Sequence, residues 1–235
     1  MRQLIVSFVL LCWIQPGLAA QDEQAYLFKV MLDDREIGFH RFDVKRTDDL
    51  EIVDIQAEFK VTFLAIPFYR YRHVNQETWR DGCLLTIRSQ TNDNGDEFKV
   101  DGQRDDNGFS LATLDQSVDL DQTCVMTFAY WDMKMLEQTQ LLNAQTGEYL
   151  PVEVNFEGDE TLKLNESAVL AKRYRLLSPE NDVDITLWYD RATRRWLSLA
   201  SRMPDDRVIR YWPTTEEVAM QSVQSTAEPS GEAQR

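Results

Sequence analysis

The residues from Val53 to Phe63 alternate strictly between apolar and polar side chains, and this pattern constrains the fold more than any other feature. A period of two places the apolar groups on one face of an extended strand, whereas a helix would scatter them around its circumference. A strand with one apolar face and one polar, solvent-exposed face is typical of an antiparallel sheet that covers a core on one side. The run therefore predicts a long antiparallel strand in a β-rich protein.

Shorter strand-like segments occur along most of the chain and are separated by residues that favour turns. Asn94-Gly95 and Asn107-Gly108 supply the positive φ angles that tight hairpins require. Further turns are predicted at Asp33-Asp34, Asp81-Gly82, Gly158-Asp159 and 204–206. The predicted strands are 26–32, 37–45, 53–63, 68–79, 83–89, 98–103, 109–112, 150–156, 161–164, 169–177, 183–189, 196–202 and 207–212.

One segment, residues 131–142, has a helical pattern. Trp131, Met135 and Leu142 fall on one side of a helix, and the segment contains neither Gly nor Pro. Sequential strands with short connections form a meander. The predicted fold class is therefore mainly β: a curved antiparallel sheet, or an incomplete β-barrel meander, with one helix packed against it.

The N-terminal residues predict export. Arg2 precedes an apolar run at 4–14, which is too short to span a bilayer and ends before small residues. We therefore expect a signal peptide at 1–20, cleaved near Ala20, and a periplasmic or secreted protein with no transmembrane segment after cleavage. The expected organisation is a single β-rich domain at 21–213, followed at 214–235 by a tail that lacks large apolar groups and is expected to be disordered.

Two cysteines, Cys83 and Cys124, remain after the predicted cleavage. An oxidising compartment permits a disulfide between them, which would close a loop of about 40 residues. Two buried free thiols are an equally good interpretation, because sequence alone does not bring the two Cα atoms together.

The net charge of −15 argues against nucleic acid as a partner, because phosphate contacts require a basic surface. His40 and His73 are the two histidines of the chain, and neither has the spacing of a metal ligand. The chain also has no Gly-rich phosphate loop. We expect neither a metal nor a cofactor.

Catalytic candidates are few. His73 shares a strand face with Tyr71 and Glu77, an arrangement that could line a polar pocket and supply a general base. A solvent-facing or core histidine is the commoner outcome of such a pattern. Glu77 and Asp190 are the candidate carboxylates, because each adjoins aromatic residues that could raise its pKa or stack on sugar.

The connection between two of the predicted strands, 63–68, is apolar and lacks polar turn residues. Contiguous apolar groups in a connection can form the rim of a binding pocket. The alternative is that the helix at 131–142 covers them. The candidate ligand-binding residues are Phe63, Leu64, Ile66, Phe68 and Trp131.

Several local motifs resemble one bacterial family. They are Ile37-Gly38-Phe39-His40, Glu77-Thr78-Trp79-Arg80-Asp81-Gly82-Cys83-Leu84, Thr91-Asn92-Asp93-Asn94-Gly95, Leu141-Leu142-Asn143 with Thr146-Gly147, and Leu187-Trp188-Tyr189-Asp190. In this order they resemble domain of unknown function 6134, a family of uncharacterised exported proteins. The resemblance implies an envelope location and a β-rich fold, and it implies no catalytic residue.

The leading functional hypothesis is an exported, non-enzymatic protein that binds or carries a lipid, another apolar ligand or an envelope protein. The first alternative is a hydrolase of envelope polymers that uses His73, Glu77 or Asp190. The second alternative is a structural module that pairs with a partner through an open sheet edge.

Overall fold

The computed structural model describes residues 22–63, 66–164 and 167–214. The predicted signal peptide at 1–20 lies outside the described residues, as does the predicted tail beyond Thr214. Within the described ranges, no helix is both long enough and apolar enough to cross a membrane.

Fifteen strands account for most of the described residues. They are β1 (Asp22–Leu32), β2 (Arg35–Arg46), β3 (Glu51–Phe63), β4 (Ile66–Arg80), β5 (Cys83–Asp93), β6 (Asp96–Arg104), β7 (Phe109–Thr113), β8 (Ser117–Leu120), β9 (Gln140–Leu142), β10 (Tyr149–Pro151), β11 (Glu153–Leu164), β12 (Ser167–Ser178), β13 (Val183–Asp190), β14 (Trp196–Arg202) and β15 (Val208–Pro213). Two short 3₁₀ helices, Met133–Glu137 and Pro179–Asn181, complete the list.

Thirteen of these strands form one antiparallel sheet in the order β11-β12-β13-β14-β15-β1-β2-β3-β4-β5-β6-β7-β8. The first and last strands, β1 and β15, pair with each other and join two meanders. Among the described strands, β8 and β11 are the two edges and do not pair, so the sheet is open. Leu111 on β7 and Leu176 on β12 belong to the same core cluster, which requires the sheet to curve. The predicted fold class is confirmed.

The concave face of the sheet is covered by residues 121–152, which we call the inner segment. It begins after β8, contains the 3₁₀ helix Met133–Glu137 and the small sheet of β9 and β10, and leads into β11. Its apolar side chains are buried against the sheet, so the chain fills most of its own concave face. They include Val125, Met126, Ala129, Trp131, Met135, Leu141, Leu142 and Leu150.

The helix predicted at 131–142 is much shorter than expected. Only Met133–Glu137 is helical, and Gln140–Leu142 extends as β9 to pair with β10. Trp131, Met135 and Leu142 are all buried as the helical pattern implied. The same burial is reached by one 3₁₀ turn followed by a strand, because the segment packs against a curved sheet that also accepts extended chain.

The predicted turn at Gly158-Asp159 is wrong. Strand β11 continues through both residues, and its pairing with β12 shifts register between Phe156 and Gly158. Gly158 has a φ of +114°, which a bulge in a strand accommodates as readily as a turn does. The short strands β8 and β9 were not predicted, since three or four residues carry too little alternation to detect.

Cys83 and Cys124 form a disulfide, with their Cα atoms 4.8 Å apart. The bridge joins the start of β5 to the start of the inner segment. Beside it, the backbone amide of Leu84 donates to the carbonyl of Val125 at 2.9 Å. The interpretation as free thiols is therefore set aside.

Gly102 on β6 packs closely against core side chains. A Cβ at this position would lie 2.6 Å from Cε1 of Phe109 and 3.0 Å from side-chain carbons of Ile87 and Leu111. We expect Gly102→Ala to lower the free energy of unfolding by about 1–3 kcal/mol, the usual cost of overpacking a core. Chemical denaturation measures it, with Ser117→Ala on the exposed edge strand β8 as the control. Equal stability of the two variants would contradict the prediction.

Candidate functional site

Strand β4 turns a row of polar and aromatic side chains toward the concave face. His73, Asn75, Glu77 and Trp79 alternate along the strand and are buried, whereas the exposed Gln76 lies between them on the other face. Buried polar side chains in a core are costly unless they are hydrogen-bonded, so their partners determine what this face can do.

The strand register brings two histidines to the same part of the face. His40 on β2 and His73 on β4 both pair with Ala57 on the intervening strand β3. Because alanine is small, space is left between the two imidazoles above the sheet. Thr91 on β5 continues the same row beyond His73.

A cavity of about 380 Å³ lies between this part of the sheet and the inner segment. This volume is within the range of small-molecule sites. Its lining combines polar groups with apolar and aromatic groups. The former include His40, Tyr71, His73, Asn75, Glu77 and Tyr211, and the latter include Phe42, Ile55, Phe128, Trp131, Val183 and Ile185.

Glu77 is held by donors from both sides of the cavity. Asn75 Nδ2 donates to Oε1 at 2.8 Å, and Trp79 Nε1 donates to Oε2 at 3.0 Å. The Thr127 hydroxyl of the inner segment donates to Oε2 at 3.3 Å. Burial raises the pKa of Glu77 to about 7, although the three hydrogen bonds act in the opposite direction and nearby Glu51 adds to the rise. Glu77 thus links β4 to the inner segment.

Both histidines are neutral at pH 7. Burial lowers the pKa of His73 to about 4. Burial, and to a smaller extent the charge of His73, lowers the pKa of His40 well below its ordinary value. His73 Nδ1 lies 2.8 Å from the Thr91 hydroxyl, and His40 Nδ1 lies 2.9 Å from the Tyr211 hydroxyl. The cavity therefore carries no permanent positive charge from imidazole.

Two buried polar atoms of the lining have no hydrogen-bond partner among the described residues. They are Nε2 of His40 and Oδ1 of Asn75. Burial raises the pKa of Tyr211 well above 10, so its phenol remains protonated, and we assign it as the donor to Nδ1 of His40. Nε2 of His40 then carries a proton, and the cavity presents one donor and one acceptor.

The structure separates the predicted catalytic candidates. His73 and Glu77 both line the cavity, but Asp190 does not. Asp190 ends β13 and accepts hydrogen bonds from the backbone amides of Ala192 and Thr193 at 2.8 and 2.7 Å. It therefore stabilises the turn between β13 and β14. Its proximity to aromatic residues in sequence was misleading, because alternate residues of a strand face opposite sides.

The predicted apolar rim is not assembled at the cavity. Phe68 is 76% exposed and is not part of the lining, whereas Trp131 is buried and lines the cavity. Leu64 lies outside the described residues, and only the backbones of Phe63 and Ile66 are described, at adjoining ends of β3 and β4. Of the five candidates, Trp131 is thus the one placed at the site.

Sequence reasoning missed the roles of His40 and Tyr211. His40 was identified only as part of a family motif and as a histidine without metal-ligand spacing. Their pairing joins β2 to β15 across 171 positions of sequence, so no local pattern could reveal it. Among the described residues, no group of three or more His, Cys, Asp or Glu side chains could hold a metal ion.

Comparison with known proteins places the fold and the family. No curated protein sequence matches the chain. The crystal structure of a β-barrel-like protein of domain of unknown function DUF1849 from Brucella abortus is similar, with a TM-score of 0.62 and 12% identity. The alignment covers 84% of this chain and 96% of that one, and at this identity it shows the fold alone.

The family resemblance of the sequence motifs is confirmed. The model of a family described as a domain of unknown function, DUF6134, matches residues 28–214 and so covers nearly all of the described strands. The chain belongs to the DUF6134 family.

Proposed function

We propose that this protein is an exported, non-enzymatic binding protein that holds a small, largely apolar ligand in the cavity beneath the inner segment. The observation that carries the proposal is the pair of buried atoms, Nε2 of His40 and Oδ1 of Asn75, that have no partner among the described residues and belong to side chains lining the same cavity. Leaving such atoms unpaired costs free energy, which a ligand that pairs with them would recover.

The lining indicates the chemistry of the ligand. Its neutral imidazoles and the aromatic and aliphatic groups around Phe42, Trp131 and Ile185 favour an uncharged molecule with an apolar body. The donor at His40 and the acceptor at Asn75 favour a polar group that both accepts and donates, such as an amide or a hydroxyl. An anionic ligand would lose its hydration without gaining an opposite charge, because both imidazoles are neutral. A cationic ligand would have to compete for Glu77, whose two carboxyl oxygens already accept hydrogen bonds from protein groups.

Acid–base catalysis is the weaker alternative. A carboxyl group with a pKa near 7 has the acidity of a general acid. However, both carboxyl oxygens of Glu77 already accept hydrogen bonds from protein groups. Asp190, the second candidate carboxylate, belongs to a turn away from the cavity. We therefore favour binding over hydrolysis.

Export is part of the proposal. The apolar run at 4–14 and the small residues up to Ala20 support it, and the disulfide between Cys83 and Cys124 is consistent with an oxidising compartment. The ligand would then come from the cell envelope or from outside the cell.

Native mass spectrometry of the full chain, expressed in bacteria with its N-terminal segment and purified from the periplasm, tests the proposal. We expect a protein that begins at Gln21 and retains an uncharged molecule, which extraction with organic solvent would identify. Protein that carries no ligand and binds none from an envelope extract would contradict the proposal.

His40→Phe is the variant that tests the binding site, because the benzene ring keeps the stacking on Phe42 but removes both nitrogens. We expect the ligand to bind about tenfold more weakly, the effect of one lost hydrogen bond in a desolvated site. Phe39→Leu, on the opposite face of β2, is the matched control. Titration of ligand-stripped protein measures both affinities, and equal affinities would place the ligand elsewhere.

A further inference from the structure

The opposite face of the sheet, away from the cavity, carries a groove of about 370 Å³ on strands β12 to β15. Four arginines line it, and we call it the arginine groove: Arg173, Arg175, Arg202 and Arg210. Two of them lie on β12, one on β14 and one on β15, and the strand register brings them together. Arg175, Thr186, Ala200 and Arg210 follow one another directly across the four strands.

The two central positions of this row, Thr186 and Ala200, have small side chains. They leave the space of the groove between the guanidinium groups of Arg175 and Arg210. Trp188 lies in the next row, packed against Ala171 and Leu197 in a small apolar cluster, and forms the floor. The groove thus has a rigid base with cationic walls.

A single carboxylate, Asp184, orders two of the arginines. Arg175 donates to both of its oxygens at 2.9 Å, and Arg202 lies 3.8 Å away. The hydrogen bond from Arg175, together with the charges of Arg175 and Arg202, holds the pKa of Asp184 below its ordinary value. Asp184 therefore stays ionised and fixes the orientation of Arg175, whose planar fork retains further N–H groups.

The other arginines differ in their partners. Arg173 is neutralised by Glu157 at 2.7 Å and Glu160 at 3.3 Å. Arg202 also approaches Asp206 at 3.5 Å, but that carboxylate is 90% exposed and strongly screened by water. Arg210 forms no ion pair with any described residue. The lining of the groove thus contains four guanidinium groups and one carboxylate, the partly exposed Asp184, whereas Glu157, Glu160 and Asp206 pair with these arginines from outside the lining.

We propose that the arginine groove binds the phosphoryl group of a phosphomonoester. Such a group carries about −1.5 to −2 charges at pH 7 and three acceptor oxygens, which suit a lining with more guanidinium groups than carboxylates and with N–H donors to spare on Arg175 and Arg210. The chain as a whole has a net charge of −15, so a concentration of guanidinium groups on one face is directed at an anion and not at general solubility. The ester comes either from a soluble metabolite or from a lipid headgroup.

Titration of the full chain with inorganic phosphate, followed by NMR of the arginine side chains, tests the proposal. We expect saturable shifts in the groove and at least tenfold weaker binding by Arg210→Gln. Arg210 has no ion pair to lose, so the variant should keep its stability. The control is Arg72→Gln on β4, which removes an exposed strand arginine paired with Glu58.

Vesicles distinguish the two sources of the ester. We would assign a lipid headgroup if the protein sediments with vesicles that contain phosphatidic acid in phosphatidylcholine. Arg210→Gln should then abolish the sedimentation, and free phosphate should compete with it. Binding of inorganic phosphate without sedimentation would assign a soluble ester. The proposal is overturned if neither probe binds saturably, or if Arg210→Gln and Arg72→Gln bind both probes equally well.

Discussion

Replacing Cys83 and Cys124 together with serine is expected to lower the free energy of unfolding by about 3–4 kcal/mol. The bridge closes a loop of 41 residues, and its removal returns the corresponding chain entropy to the unfolded state. Neither cysteine is fully buried, so serine brings no additional cost of desolvation. Equilibrium denaturation in urea, under oxidising conditions, measures the difference.

The same variant tests how the inner segment is held. Cys124 immediately precedes the buried Val125 and Met126, so the bridge anchors the start of the segment that covers the cavity. We expect faster amide hydrogen exchange at Val125 and Met126 in the double variant. Thr123→Ser, at the exposed neighbouring position, is the control, and reduction of the wild-type protein should reproduce the variant. A loss of less than about 1 kcal/mol would show that the bridge adds little.

The second large effect is on the pH dependence of stability, which Glu77 and His73 change in opposite directions. The pKa of Glu77 is raised in the folded protein to about 7, so its contribution is fully present below about 4.5 and is lost as pH rises through 7. The pKa of His73 is lowered to about 4, so its contribution is present above about 6.5 and is lost as pH falls through 4. Each contribution amounts to about 3 kcal/mol.

Single variants separate the two contributions. Between pH 4.5 and pH 7.5, the free energy of unfolding of Glu77→Gln should rise by about 3 kcal/mol more than that of the wild type. The variant has no buried carboxyl group, so it lacks the cost of ionising one. His73→Asn should gain about 3 kcal/mol less than the wild type over the same range, because one source of acid sensitivity is gone. His40, whose pKa is lowered in the same direction as that of His73, remains in both variants.

Each variant is compared with itself at two pH values, so any effect of the substitution on the free energy of unfolding that is independent of pH cancels. Denaturation of the wild type and both variants at the two pH values completes the experiment. Curves that run parallel for Glu77→Gln and the wild type would show that Glu77 does not change its protonation on folding. Parallel curves for His73→Asn and the wild type would show that the imidazole of His73 does not change its protonation on folding.

Strand positions were predictable to within a few residues because their signal is local. The alternation from Val53 to Phe63 became β3, Glu51–Phe63, and Asn94-Gly95 became the hairpin between β5 and β6. The polar row of β4 was equally visible, since alternate residues of a strand must share a face. The prediction of a turn at Gly158 was wrong because a glycine with positive φ occurs in a strand bulge as well as in a hairpin turn.

The site was only half predictable. His73 and Glu77 were recognised because they lie on the same strand face as Trp79, and the structure places both at the cavity. The prediction of an apolar rim around Phe68 was wrong, because an apolar connection between strands does not indicate which element packs against it. Trp131 reaches the site through the inner segment, whose path across the concave face depends on contacts that are distant in sequence.

The sequence by itself determined the β-rich class, the family, the wet and apolar faces of the strands, and a strand row with titratable groups. These properties follow from period-two alternation and from ordered local motifs, both of which act over a few residues. Only the tertiary structure decided that β1 pairs with β15, that His40 meets Tyr211, and that four arginines from three strands share one groove. Such neighbours are set by strand order and register, which depend on the packing of the whole curved sheet around its inner segment.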